Sequence, residues 1–199
     1  MLLVVSSPEQ LENEPAIINQ LCAAGLPLFH LRKPRMGEEK FRSLLEGISE
    51  EHRSKLVLHQ HHQMAKEFGI NRIHFKEADR KKLTASDLQR MKNTEMVYTT
   101  SVHSPKTFLS LDQVFRYAFY GPVFESISKP GYKPEKEAPH DFGKNRSTRL
   151  IGIGGITPDN ATSVMESGFD GVALCGTIWQ SRNKVDAFKK TLRNLSIST

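Results

Sequence analysis

The residues best suited to chemistry fall into a few short clusters. Gly152-Ile153-Gly154-Gly155-Ile156-Thr157-Pro158 and Leu174-Cys175-Gly176-Thr177 each end an apolar, strand-like run. Glycine lets a backbone N–H approach an oxyanion closely, and a helix that starts just beyond such a turn adds a favourable dipole. Gly154, Gly155, Cys175 and Gly176 are therefore the candidate phosphate cradle, the plainer alternative being that the glycines only turn the chain. Ser101-Val102-His103-Ser104 supplies an imidazole, whose reference pKa of about 6.5 suits proton transfer near neutrality. His103 is either that acid/base, with Ser101 a polar contact nearby, or a surface residue beside a helix cap at Ser104. In His30-Leu31-Arg32 the alternation sets His30 and Arg32 on one strand face. Arg32 is suited to a bidentate clamp on a carboxylate or phosphate, or to a rim ion pair with Glu38 or Glu39. Lys129 is placed to close over an anion, or is an exposed loop lysine.

Other histidines suggest less. His59-Gln60-His61-His62 has no Cys, Asp or Glu at ligand spacing, and consecutive imidazoles entering a helix diverge, so no metal is expected there. His74 reads as a rim or packed residue.

The elements that must hold these residues alternate from end to end. Strands are expected near Leu2–Val5, Leu28–Leu31, Leu56–Leu58, Arg72–Phe75, Met96–Ser101, Val114–Tyr120, Leu150–Ile153 and Gly171–Leu174. Helices are expected from Ser7-Pro8 to Gly25, over Glu38–Arg53, near Gln63–Phe68, over Ser86–Met91, from Ser104-Pro105, over Pro158–Ser167 and over Lys184–Leu195. Strand–helix alternation demands right-handed crossovers and a parallel sheet, and eight strands predict a compact (β/α)8 TIM barrel. In such a barrel the working residues stand at the C-terminal ends of strands, where the clusters above fall. Between Gly121 and Leu150 the chain is rich in Pro, Gly and Lys, without an amphipathic helix. The sixth helix is expected to be irregular or missing, and residues 121–149 to form a loop bordering the ligand.

Length and composition agree with one domain over residues 1–199. The 199 residues include 28 Lys+Arg against 22 Asp+Glu, a formal charge of +6, with 38% hydrophobic and 25% charged residues. That mix is too apolar for disorder. No apolar run approaches the roughly 18–20 residues of a membrane-spanning helix, so no membrane partner is expected. Cys22 and Cys175 give no disulfide framework, and a reducing cytoplasm is the expected setting. The pI near 9.3 invites a nucleic-acid reading. The positive charge is spread out, however, and its tightest cluster, Arg80-Lys81-Lys82, has no interleaved aromatics. An anionic small molecule is expected as partner instead, with no nucleic acid.

Together these motifs resemble the thiamine phosphate synthase superfamily, whose other branch is the TenI-type thiazole tautomerases. The resemblance covers nearly the whole chain. Its markers are His30-Leu31-Arg32, Lys55-Leu56-Val57, Ser101-Val102-His103-Ser104, Gly121-Pro122-Val123-Phe124-Glu125-Ser126 with Lys129, Ile153 to Asn160, and Gly168-Phe169-Asp170-Gly171-Val172-Ala173. The synthase joins a pyrimidine diphosphate to thiazole phosphate with Mg²⁺. At the expected Asn-Asp after the third strand this chain has His59-Gln60, and at Gly-Gln-Glu-Asp after the fourth it has Lys76-Glu77-Ala78-Asp79. The Arg-Glu-Lys of strand two is Arg32-Lys33-Pro34. A diphosphate–Mg²⁺ complex needs hard carboxylate oxygens, and these changes keep only the last acid, Asp79, and remove much of that charge. The closer resemblance is therefore to the TenI-type tautomerase, which shifts a proton in a carboxylated thiazole phosphate without metal. It implies His103 as the acid/base, Ser101 as a polar contact, the glycine pairs as phosphate holders, and no cofactor. It implies Arg32 and Lys129 as further ligand contacts. By family analogy a homodimer is expected. The alternatives are a synthase with an altered Mg²⁺ site and a non-catalytic thiazole-phosphate-binding regulator.

Overall fold

The computed structural model describes residues 1–125, 127, 131 and 147–197. The strands are β1 (Leu2–Val5), β2 (Phe29–Leu31), β3 (Leu56–Leu58), β4 (Arg72–Phe75), β5 (Val97–Val102), β6 (Phe115–Tyr120), β7 (Arg149–Ile153) and β8 (Gly171–Leu174). Each pairs in parallel with its sequence neighbours, and β8 closes on β1 through Leu2↔Val172 and Val4↔Leu174. The expected (β/α)8 barrel is thus the observed fold. Its helices are α1 (Glu14–Ala23), α2 (Glu38–Glu46), α3 (Glu50–Arg53), α4 (Glu77–Arg80), α5 (Ala85–Lys92), α6 (Pro105–Leu109), α7 (Ala161–Glu166), α8 (Gly176–Trp179) and α9 (Lys184–Ile197). Most of the 121–149 loop lies outside the described residues. Among the described residues no helix separates β6 from β7, and none is long and apolar enough to cross a membrane.

Three helices differ from expectation, and the one expected near Gln63–Phe68 is only a 3₁₀ turn over His62–Met64. The first begins at Glu14, not at Ser7-Pro8, because the Ser7 hydroxyl accepts the Glu9 N–H locally and Asn13 takes the left-handed cap position. The helix expected over 38–53 breaks into α2 and α3, since Gly47 turns the chain and the Ile48 N–H bonds back to Leu45 O. By contrast, Thr84 and Asp87 close a capping box on α5, and Ser104 caps α6 by accepting the Thr107 N–H.

The period of two along each strand sorts the core into layers. Leu2, Val4, Phe29, Leu31, Leu56 and Leu58 face the helices and join the large outer cluster. Leu3, Val5, Tyr117, Phe119, Ile151 and Ala173 fill the barrel interior. The same alternation turns His30, His74 and Thr99 inward, all at 1% exposure or less. Polar side chains therefore stand under the mouth, where apolar ones would have made a plug.

Candidate active site

A cavity of about 240 Å³ opens at the C-terminal ends of the strands. Arg32, Ser101, His103, Gly154, Gly155, Cys175 and Gly176 all line it, from the ends of four strands, β2, β5, β7 and β8, or from the turns after them. Lys129 lies outside the described residues. Residues that the sequence reading left aside also form its walls: His59, His74 and Lys76. Continuing the inward alternation from His74 would have reached Lys76.

Arg32 is fixed by the β1 loop. The Ser6 hydroxyl donates to Arg32 O and accepts the Arg32 N–H, each at 2.8 Å. Neither Glu38 nor Glu39 makes an ion pair with it among the described residues. Lys33, one residue on, points the opposite way. Its ammonium lies 2.5 Å from Glu14, with both side chains 1% exposed, and donates to Glu9 O. Alternation decides this: next to a cavity-facing residue the side chain must enter the layer between barrel and helices. Burial pushes the Glu14 carboxyl up, against the opposing hydrogen bond from Lys33.

The two glycine turns are shaped by backbone contact. Gly154 and Gly155 have φ of 101° and 66°, in the left-handed region that side chains disfavour. A Cβ on Gly155 would stand 2.4 Å from Glu125 O, because the β6 and β7 loops pack through Val123 N–H to Ile153 O and Phe124 N–H to Gly154 O. The glycines thus do turn the chain. Yet among the described residues nothing accepts from the N–H groups of Gly155, Ile156, Gly176 and Thr177. Unpaired N–H groups beside a cationic wall suit an oxyanion. The four-residue α8 contributes donors more than dipole. The Cys175 thiol donates to Ser6 O at 3.8 Å.

His103 stands at the rim, 57% exposed. Its Nδ1 lies 2.7 Å from Gly121 O, and a carbonyl only accepts, so Nδ1 carries the proton. In the neutral ring the lone pair is then on Nε2, 3.8 Å from Glu77 Oε2. Glu77 is placed to pair electrostatically with the ring once it is charged.

Below the rim three imidazoles meet. His30 Nδ1 lies 2.9 Å from His59 Nε2, and His30 Nε2 lies 2.7 Å from the Tyr117 hydroxyl. The His59 and His74 rings stack, with centroids 4.0 Å apart. Thr99 Oγ1 donates to Ile73 O, so it accepts from His74 Nδ1; His74 Nε2 then accepts the Ser101 hydroxyl at 2.8 Å. Ser101 is left with lone pairs, an acceptor, toward the cavity. Burial first, then mutual repulsion, holds His30 and His59 well below the usual histidine range. His74 is pushed down to about 3 by burial, with repulsion from His62, Arg32 and Lys76 adding to it. All three are neutral at pH 7.

The residues do not fit the Mg²⁺ that a synthase reaction implies. Gln60, at the expected acid, is spent on the Lys33 backbone, accepting its N–H and donating to its O. Asp79 faces Lys82 at 3.4 Å, and Glu77 pairs with Lys81 at 2.7 Å. Among the described residues no set of three carboxylates converges, and none lines the cavity.

A closed parallel barrel whose mouth gathers cations, free N–H groups and a histidine is the architecture of a (β/α)8 protein. The family profile described as thiamine monophosphate synthase matches residues 1–178, and the chain belongs to that enzyme family of thiamine biosynthesis. It is 23% identical over 192 residues to a thiamine-phosphate synthase of Bacillus thuringiensis (strain Al Hakam), covering 92% of this chain and 86% of that one. Among solved structures it resembles a thiamine phosphate pyrophosphorylase from Bacteroides thetaiotaomicron, with TM-score 0.79, 24% identity and coverage of 100% and 98%. It also resembles one from Pyrococcus furiosus, with TM-score 0.80, 15% identity and coverage of 99% and 96%. At these identities the solved structures speak for the fold alone.

Proposed function

We propose that the chain binds a carboxylated thiazole phosphate and shifts a proton within it, as a TenI-type tautomerase does. The observation that carries this reading is the pairing, in one cavity, of an Nδ1-protonated His103 with a cationic, N–H-rich wall free of carboxylates among its described residues. In this reading the N–H groups of the two glycine turns and Arg32 hold the phosphate and carboxylate. His103 Nε2 takes a proton from one ring position of the substrate and returns it at another, with Glu77 facing the imidazolium in between. The electron pair left by the broken bond becomes a double bond and the neighbouring double bond shifts to take the returning proton, so nothing is oxidised or reduced and the step needs no cofactor. His59 and His74 are poor candidates for the base, because burial keeps them neutral and their conjugate acids too strong. A homodimer and a cytoplasmic setting belong to the same reading.

The second reading is the synthase reaction, a transfer of the pyrimidine group to thiazole phosphate. The relatives' names support this transferase reading better than the isomerase one. One pair of assays separates the two. Purified protein given the pyrimidine diphosphate, thiazole phosphate and Mg²⁺ should form no thiamine phosphate, and robust formation would establish the synthase in place of the isomerase. With the carboxylated thiazole phosphate, His103→Ala should lose about 10²–10⁴-fold in rate while phosphate affinity holds. Unchanged turnover would remove His103 as the base, and binding without any turnover would leave a regulator.

A further inference from the structure

The three imidazoles under the mouth are not used by that proton shift, and their arrangement has its own chemistry. His30 comes from β2, His59 from just after β3 and His74 from β4, and one nitrogen of each lies within 4.8 Å of the others. This is the only such group among the described residues. Tetrahedral zinc with bonds of about 2.0–2.1 Å separates its nitrogens by about 3.3 Å. The His30–His59 pair is already at 2.9 Å, and splaying the stacked His59 and His74 rings brings in the third.

Outer partners are also in place. A ligating histidine is normally held by a hydrogen bond at its other nitrogen. His30 Nε2 has the Tyr117 hydroxyl for this, and His74 has Thr99 on one nitrogen and Ser101 on the other. His61 and His62 play no part: His61 Nε2 bonds Met36 O, and the His62 ring packs against Phe75.

We propose that His30, His59 and His74 form a binding site for a borderline transition ion, Zn²⁺ or Co²⁺, with a fourth position open to the cavity. Three neutral imidazoles suit such ions and not Mg²⁺, which prefers oxygen. Neutral ligands leave the ion's charge uncompensated beside Arg32 and Lys76, so the fourth ligand is an anionic oxygen, and ion and anion bind cooperatively. This departs from the sequence expectation of no metal, and it stands independently of the tautomerase reading.

The test reads binding and not turnover, so the two proposals fail separately. Tag-free chelator-treated protein is titrated with Co²⁺, followed by visible absorption, and with Zn²⁺ by equilibrium dialysis, with and without inorganic phosphate. One ion per chain is expected, with the strong absorption of tetrahedral cobalt and tighter binding in phosphate. His59→Ala should abolish the absorption, Tyr117→Phe should weaken binding about 10–100-fold, and His61→Asn should change neither. Circular dichroism confirms that each variant is folded. Folded wild-type protein that takes up no ion, or a signal that survives His59→Ala, overturns the site. Binding indifferent to phosphate overturns the open fourth position.

Discussion

Acid should weaken this fold well above the range where carboxylates titrate. His30, His59 and His74 are neutral in the folded barrel and held below their reference value of 6.5, His74 to about 3. In the unfolded chain each regains a pKa near 6.5 and binds a proton as pH falls. Below that value the unfolded state holds more protons, so stability is lost as pH drops, and is retained above it. Between pH 7.5 and 5.5 the difference integrates to about 1.4 kcal/mol per histidine, about 4 kcal/mol for three. Set against a typical total of about 5–15 kcal/mol, that is a large share. Glu14, pushed up by burial, acts in the opposite sense. The assay is urea unfolding of chelator-treated protein at each pH, reading the midpoint at constant slope. His74→Gln should remove about a third of the pH dependence. A stability flat or rising from pH 7.5 to 5.5 would refute the picture of three neutral buried imidazoles.

Three further outcomes follow from the geometry. Gly155→Ala forces a side chain into a left-handed position against Glu125 O, and should cost about 1–3 kcal/mol in thermal unfolding and weaken phosphate binding measured by calorimetry. Lys33→Met leaves Glu14 buried and uncompensated, and should destabilise by about 3–5 kcal/mol in urea, with Glu14→Gln added to it restoring much of the loss. Arg32→Met should weaken a carboxylated phosphate ligand by about 1.5–3 kcal/mol, roughly 10–150-fold in calorimetric affinity, without changing the melting temperature.

Much of the site was legible because a barrel obeys local rules. Period-two alternation and the strand ends alone placed Arg32, Ser101, His103, Gly154, Gly155, Cys175 and Gly176 on one rim, and the structure sets all seven around one cavity. The Ser104 cap acts through Thr107, three positions away, a range that sequence resolves. Local rules failed where competing local bonds decided, as at Ser7, whose hydroxyl serves a turn and delays the first helix to Glu14.

The linear order determined the strands, their inward faces and the chemistry at their ends, since all of these follow from spacing within one element. Only closure of the barrel decided which inward residues meet. The registers His30↔Val57 and Leu58↔Ile73 bring three histidines spread over 45 positions into one cluster, and a buried pair joins Lys33 to Glu14 across 19. Such meetings depend on how strands align across the sheet, a through-space relation with no counterpart in the spacing along any one of them.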